Sequence, residues 1–496
     1  MAAVASARGR VPLSWRLRDW WENFEPTPRT KRFAAICGLA AVGAFWGALV
    51  GAAGLAAALV CISLFACIFC LRDFRVGVAL LIAIMPISQS YVFPHAMFGI
   101  TGMNPLNLLM LTTLVALFMR SLADGTWKHF VPRSLILLYI APLVMGTAIG
   151  MFHVEEIPKL FHDLELIFFN NAFGYVRDMF LKPMTFVTYA LLVAAAVEHS
   201  ERTDRFITPM VISTFVMALM AVVFVVISGI SLSALAGTFA RHFFSAIGMH
   251  ANDLGRLYAT AYALLLFIWD RTDSVSLKVW LVLAMGLVAI ALVLTFSRGA
   301  FFGFILVNII YLVSRRQLKT IIAAVLLVPI AAVLAPGAIW SRVTMGVGQG
   351  ANEVTAGRTN EIWAPLLPEL FNSPIWGNGL GSIMWSDAML EGRLPAVGHP
   401  HNAFLQAYTD TGVIGLLLLT LFWLYCWRHF RRLCRDERCK PELQGFFEGA
   451  AAGVIAFLAA GFAGASLAPV PAQAFMWLAV GVMFGVRFKL ARHATV

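Results

Sequence analysis

"VWLVLAMGLVAIALVLTFSRGAFFGFILVNIIYLV", Val279–Val313, holds a single charged residue, Arg298, in 35. As one straight helix it would be about 52 Å long. The hydrocarbon core of a bilayer is about 30 Å thick. The run is therefore expected to fold back on itself, and "SRGAF", Ser297–Phe301, is the place for the bend. That sets Arg298 at an interface or in a cavity, where a charge is a functional candidate. The plainer alternative is an arginine snorkelling from a helix end.

The rest of the chain agrees with a membrane reading. Of 496 residues 60% are hydrophobic and 13% charged, about half the charge of a soluble domain. Apolar stretches recur near 33–50, 51–71, 76–92, 103–121, 134–152, 182–198, 207–229, 256–269, 277–297, 299–313, 318–336, 403–427, 446–466 and 469–487. The expectation is an all-α polytopic membrane protein with 12–14 transmembrane helices. Its parts are a basic arm (1–32), a transmembrane region with short loops (33–336), a large loop (337–402), C-terminal helices (403–487) and a tail (488–496). The arm, with Trp15, Trp20 and Trp21, reads as lying on the cytoplasmic surface with its tryptophans at headgroup level. No cleaved signal peptide is read there.

With the N-terminus inside, the segments assigned to the inside hold 28 of the 37 Lys and Arg and those outside hold nine. That split is a positive-inside signal, with both termini cytoplasmic. It accounts for most of the net charge of +11 without nucleic acid. Cys37, Cys61, Cys67, Cys70, Cys426, Cys434 and Cys439 lie in apolar stretches or on the inside, so no disulfide framework is read.

The largest polar region is 337–402, expected outside. In Thr359–Phe371 the residues Ile362, Trp363, Leu366, Leu367 and Leu370 fall on one helical face, which suggests short helices on the membrane surface. Arg358 follows a glycine and precedes this helix, where an arginine can fork onto phosphate oxygens; a solvated loop arginine is the plainer reading. Arg177, Lys182 and Arg256 open or precede other spans in the same way, and Asp178 can simply pair with Arg177 or Lys182. The glycines of "WGNGLGS", Trp376–Ser382, follow no strand and read as a tight turn returning the loop to the membrane.

Two histidines close the region in "GHPHNAFLQAYTDTG", Gly398–Gly412. His399 precedes a proline and is held out of helix. His401 and Asn402 start the next span, with Asn402 as its N-cap. A neutral imidazole is a natural general base. A metal site would need a further ligand, for which only Asp387 and Glu391 are close in sequence; none is assigned. No Walker motif or zinc-protease motif is present, and no cofactor is expected.

A base, arginines and a wide polar loop over apolar spans suit transfer from a lipid-linked diphosphate. The donor is already activated. It needs a cationic clamp for the departing charge and a base for the incoming hydroxyl.

The order "TFSRGA", "GRTNEIW", "SPIWGNGLG" and "HPHNAFLQAYTDTGVIGLLL" over about 290–420 resembles the O-antigen ligase family of Gram-negative inner membranes. Its relatives are the O-antigen polymerases and protein O-oligosaccharyltransferases. The resemblance implies a GT-C-like glycosyltransferase that moves O-antigen from undecaprenyl diphosphate to the lipid A–core oligosaccharide in the periplasm. It implies a metal-independent and inverting reaction, with membrane lipids as surroundings. Matched residue by residue, His401 is the essential histidine. Arg298 and Arg358 are the arginines associated with the donor diphosphate, and His399 is an acceptor or positioning group. The motifs do not separate ligase, polymerase and protein transferase. A transporter or flippase is the rival of another class; against it, no span shows a carboxylate at its centre. An envelope scaffold would need neither the histidine nor the arginines.

Overall fold

The computed structural model describes residues 28–90, 93–97, 100–124, 131–237, 239–316, 336–464 and 466–494. Trp15, Trp20 and Trp21 and nearly all of the expected span 318–336 lie outside them. The chain divides into two units, Met1–Ile62 and Ser63–Val496. The described part of the first is helix, from α1 (Pro28–Arg72), interrupted at Gly54 (φ 79°, ψ 168°). That break falls close to the expected division between the spans 33–50 and 51–71.

The second unit is a helical bundle. It comprises α2 (Phe74–Ile84), α3 (Pro105–Ala123), α4 (Arg133–Gly150), α5 (Ala172–Glu198), α6 (Thr203–Ser228), α7 (Ala251–Arg271), α8 (Val275–Leu294), α9 (Arg298–Arg315), α10 (Gly337–Thr344), α11 (Ala403–Leu433), α12 (Pro441–Ala463) and α13 (Pro471–Arg492). Ala96–Met97 and Ile100–Thr101 pair as a minimal antiparallel hairpin. Nine of the described helices, α3–α6, α8, α9 and α11–α13, are long and apolar enough to cross a membrane. The architecture is all-α and polytopic, as expected. The expected span 76–92 is shorter than read: α2 stops just before Pro86, which disfavours helix at the preceding residue.

α7 is the axis of the site-bearing half, packing on α8, α9 and α12. Glycines set these distances. A Cβ on Gly445 of α12 would meet the Phe267 carbonyl oxygen of α7 at 2.4 Å, and one on Gly449 the Ala263 carbonyl oxygen at 2.6 Å. Small residues one turn apart let membrane helices approach backbone to backbone. Buried tyrosines satisfy their hydroxyls on carbonyls: Tyr139 donates to Leu467 (2.8 Å), Tyr258 to Met217 (2.8 Å) and Tyr175 to Leu380 (2.7 Å).

The long apolar run does break where its length requires. α8 ends at Leu294, and α9 starts at Arg298. α11 is also broken, within the stretch 403–427 that the sequence reads as one span. Gly412 (φ 65°, ψ −172°) is non-helical, and the turn from Pro374 to Ser382 fills the gap. Val413 N donates to the Pro374 carbonyl (2.9 Å). Asn378 N and Gly379 N donate to the Thr409 and Asp410 carbonyls (2.8 and 3.0 Å). A side chain at Gly412 would strike the Ile375 carbonyl oxygen at 2.2 Å.

Candidate functional site

At one end of α7, α9 and α12 lies a cavity of about 480 Å³, lined among others by Arg256, Arg298, Arg342, Arg358, Trp363 and Phe462. Its described lining holds four arginines and no carboxylate, so it suits an anion. The other lining residues are mostly apolar.

Arg298 is placed by the turn between α8 and α9. Phe296 there adopts φ 46°, a left-handed conformation that costs a non-glycine residue roughly 1–2 kcal/mol. Ser297 caps α9, its hydroxyl accepting from Ala300 N (3.4 Å). Gly255 of α7 makes room for this turn: a Cβ there would meet Ala300 Cβ at 2.6 Å and Ser297 Cβ at 3.2 Å. Arg298 Nη1 donates to the Met345 carbonyl (3.0 Å), and Arg298 has no carboxylate partner among the described residues.

Arg358 follows Gly357 (φ 85°) and leads into a helical stretch, as the sequence suggests. Its Nη1 donates to the Ala463 carbonyl at the end of α12 (2.8 Å). The stretch is not one regular helix. It runs as a π turn (Thr359–Trp363), an α turn (Ala364–Leu366) and a 3₁₀ turn (Pro368–Phe371). The changing pitch shifts the inward face: Ile362, Leu366 and Glu369 are buried, while Leu367 is 53% exposed. The expected apolar face is corrected accordingly.

The histidines stand beside this cavity. Trp363, in its wall, donates from Nε1 to the Pro400 carbonyl (2.8 Å). Asn402 caps α11 as expected, its Oδ1 accepting from Phe404 N (3.0 Å) and Leu405 N (3.1 Å). His401 is not part of that helix start: it adopts φ 54°, and the helix begins at Ala403. His401 N donates to His399 Nδ1 (3.2 Å), and the two rings meet edge to face, 4.2 Å between centroids. His399 is exposed at its surface, yet protein crowds it. Desolvation lowers its imidazole below the usual 6.5; Asp253 opposes this, and Arg256 and Arg358 reinforce it.

The secondary candidates divide. Arg256 joins the cavity wall, 12% exposed in its side chain and paired with Asp253. Arg177 and Lys182 do not line it; both pair with Asp178 at 2.8 Å, the surface ion pair that was the plainer reading. Asp387 lies away from the histidines, in a separate acidic cavity of about 170 Å³ with His153, Glu156, Glu369 and Asn372. No group of three or more His, Cys, Asp or Glu among the described residues is arranged to hold a metal.

Two residues escaped the sequence reading. Arg342 was only one of nine outside cations, and no local pattern marks it. Asp410 sits about two turns into α11 and is buried, its Oδ1 accepting from Ser382 N (3.2 Å) and Oγ (3.1 Å). It lies nearer the start of its span than the centre, where the sequence showed no carboxylate, and the sequence reading did not weigh it.

Residues 280–420 match the family model for O-antigen ligase, Wzy_C. No curated protein matches the chain. The matched stretch contains Arg298, Arg342, Arg358, His399 and His401, and it encloses the motifs on which the sequence resemblance to the same family rests, in a chain with the helices of a multi-pass membrane protein.

Proposed function

We propose that this protein transfers O-antigen from undecaprenyl diphosphate to the lipid A–core oligosaccharide at the periplasmic face of a Gram-negative inner membrane, during lipopolysaccharide synthesis. The observation that carries the reading is four arginines round one cavity beside His399 and His401, inside the stretch matching the ligase family. The 28 to 9 division of basic residues favours a cytoplasmic location for both termini, which sets the cavity end outside.

In this reading the lipid chain lies against the apolar wall. Arg298 and Arg358 take the diphosphate, and Arg256 adds charge. A guanidinium has five N–H donors, so the bond from Arg298 to the Met345 carbonyl leaves others for phosphate. His401 removes the proton from an acceptor hydroxyl. That oxygen bonds to the anomeric carbon as the carbon–oxygen bond to the diphosphate breaks. The electron pair leaves with the diphosphate, where the arginines stabilise it, and the sugar inverts. No nucleotide, metal or redox group takes part.

The test uses purified protein with undecaprenyl-diphosphate-linked glycan and lipid A–core, alongside His401→Ala and a chelator arm. Product on lipid A–core from the wild type, unaffected by chelator and absent in the variant, is expected. Longer lipid-linked chains with unlabelled core would make the protein a polymerase, and label on an added acceptor protein would make it a protein transferase. Folded protein that transfers to no hydroxyl acceptor would return the transporter reading.

A further inference from the structure

Arg342 has no task in the reaction just described, yet it is 5% exposed and lines the same cavity. It lies on α10, a short helix within 337–402 rather than one of the membrane-length helices. Its Nε donates to the Phe296 carbonyl at 3.2 Å, and its Nη1 lies 3.3 Å from Met345 Sδ. Across the same gap Arg298 Nη1 donates to the Met345 carbonyl at 3.0 Å. Two guanidinium groups thus bridge the same two segments, 296–298 and 342–345, in opposite directions.

Phe296 is the left-handed residue of the turn that presents Arg298. Such a residue persists only where its surroundings determine it. An arginine is suited to that work beside an anion site. It stays charged when buried, and its planar fork holds a fixed direction. Its bond to a carbonyl is also stronger than a neutral one.

We propose that Arg342 is a positioning residue: by holding the Phe296 carbonyl while Met345 holds Arg298, it fixes the turn that presents Arg298 to the donor diphosphate. This rests on the assignment of Arg298 to the diphosphate. The α10 segment thereby becomes part of the donor site rather than a cover over it. A lysine at 342 can make one bond but has no fork, so it keeps only part of the effect.

The experiment compares wild type, Arg298→Ala, Arg342→Ala, Arg342→Lys and the double alanine variant. Binding of undecaprenyl diphosphate is measured directly. Initial rates of transfer are measured with donor and acceptor varied separately, and melting in detergent is followed throughout. Arg342→Ala is expected to weaken undecaprenyl diphosphate binding and raise the donor KM roughly tenfold, with the acceptor KM unmoved. Arg342→Lys should fall between it and wild type. The double variant should bind no more weakly than Arg298→Ala alone, because residues acting through one contact are non-additive. If Arg342→Ala does not accumulate, Arg342→Lys carries the same KM comparison.

Additive losses in the double variant would make Arg342 an independent ligand and overturn the proposal. So would a wild-type donor KM in Arg342→Ala, or a loss confined to melting. The failure of the underlying assignment looks different: Arg298→Ala would itself bind undecaprenyl diphosphate as the wild type does, leaving Arg342 nothing to position.

Discussion

α7 and α9 bear arginines near both of their ends, α12 packs beside them, and the two ends hold their arginines differently. At the end away from the cavity, Arg315 pairs with Asp270 (2.7 Å) and Glu448 (2.9 Å). Arg271 also reaches Glu448 (3.1 Å), and Tyr311 donates to Asp270 (2.8 Å). At the cavity end Arg298, Arg342 and Arg358 donate to the main-chain carbonyls of Met345, Phe296 and Ala463. A carboxylate cancels a guanidinium's charge, whereas the Met345 carbonyl fixes the direction of Arg298 and leaves its charge for an anion. The first arrangement joins helices; the second is prepared for a ligand. Arg256 stands between the two, in the cavity wall but paired with Asp253.

The contrast breaks if the two ends respond alike to substitution. The largest effect is expected at His401. His401→Ala should lower transfer by about 10²–10⁴-fold without changing melting in detergent; retained activity would remove its role as base. At the far end, Glu448→Gln leaves Arg315 and Arg271 without a carboxylate they share. Losing one partner of a buried pair costs about 3–5 kcal/mol. With side chains 10–36% exposed, about 2–3 kcal/mol is expected here. Denaturation should register it, with the kcat of the folded fraction unchanged; a kcat loss without destabilisation would erase the distinction between ends.

Arg298→Lys sharpens the comparison from the other side. It keeps the charge and loses the fork, so the donor KM should rise roughly tenfold, with stability unaffected. Gly255→Ala should cost about 1–3 kcal/mol by overpacking and displace the Ser297–Ala300 turn, read as lower stability together with a higher donor KM. The smallest effect concerns pH. His399 accepts from His401 N through Nδ1, which requires the neutral ring. Its imidazole is depressed, so the bond is intact at pH 6.5 and persists somewhat below it, and is lost only as pH falls through that lowered value. A several-fold loss of activity on the acid side, reduced in His399→Asn to the part that the His401 base itself imposes, is expected from a pH profile.

What the sequence shows of this molecule depends on how local each cause is. The bend before Arg298 follows from length alone, since 35 apolar residues cannot cross once. Asn402 caps its own helix, so a few neighbouring residues predict it. The break in α11 at Gly412 is invisible in its neighbours, because its cause is the distant Pro374–Ser382 turn. Arg342 is hidden in the same way: its meaning lies in the Phe296 carbonyl, 46 residues away in sequence. Arg256 gained nothing from motif matching and emerged through the fold, while Arg177 and Lys182 looked similar in sequence but meet Asp178. The inward face of 359–371 was misread because periodicity assumes one pitch, and three pitches occur.

The chain between Ser382 and Pro400 is moored at both ends. Ser382 binds the buried Asp410 carboxylate, and the Pro400 carbonyl receives the Trp363 indole. Between these points runs an exposed tip, Leu390–Arg393. Doubling the length of a flexible loop costs only about 0.6 kcal/mol. Insertions at Gly392 should therefore be absorbed locally, with the arginines and the Asn402 cap kept in register. The tip is a place where homologous chains can differ in length, and where a tag or a recognition segment can be inserted, without disturbing the cavity on which the bundle is organised.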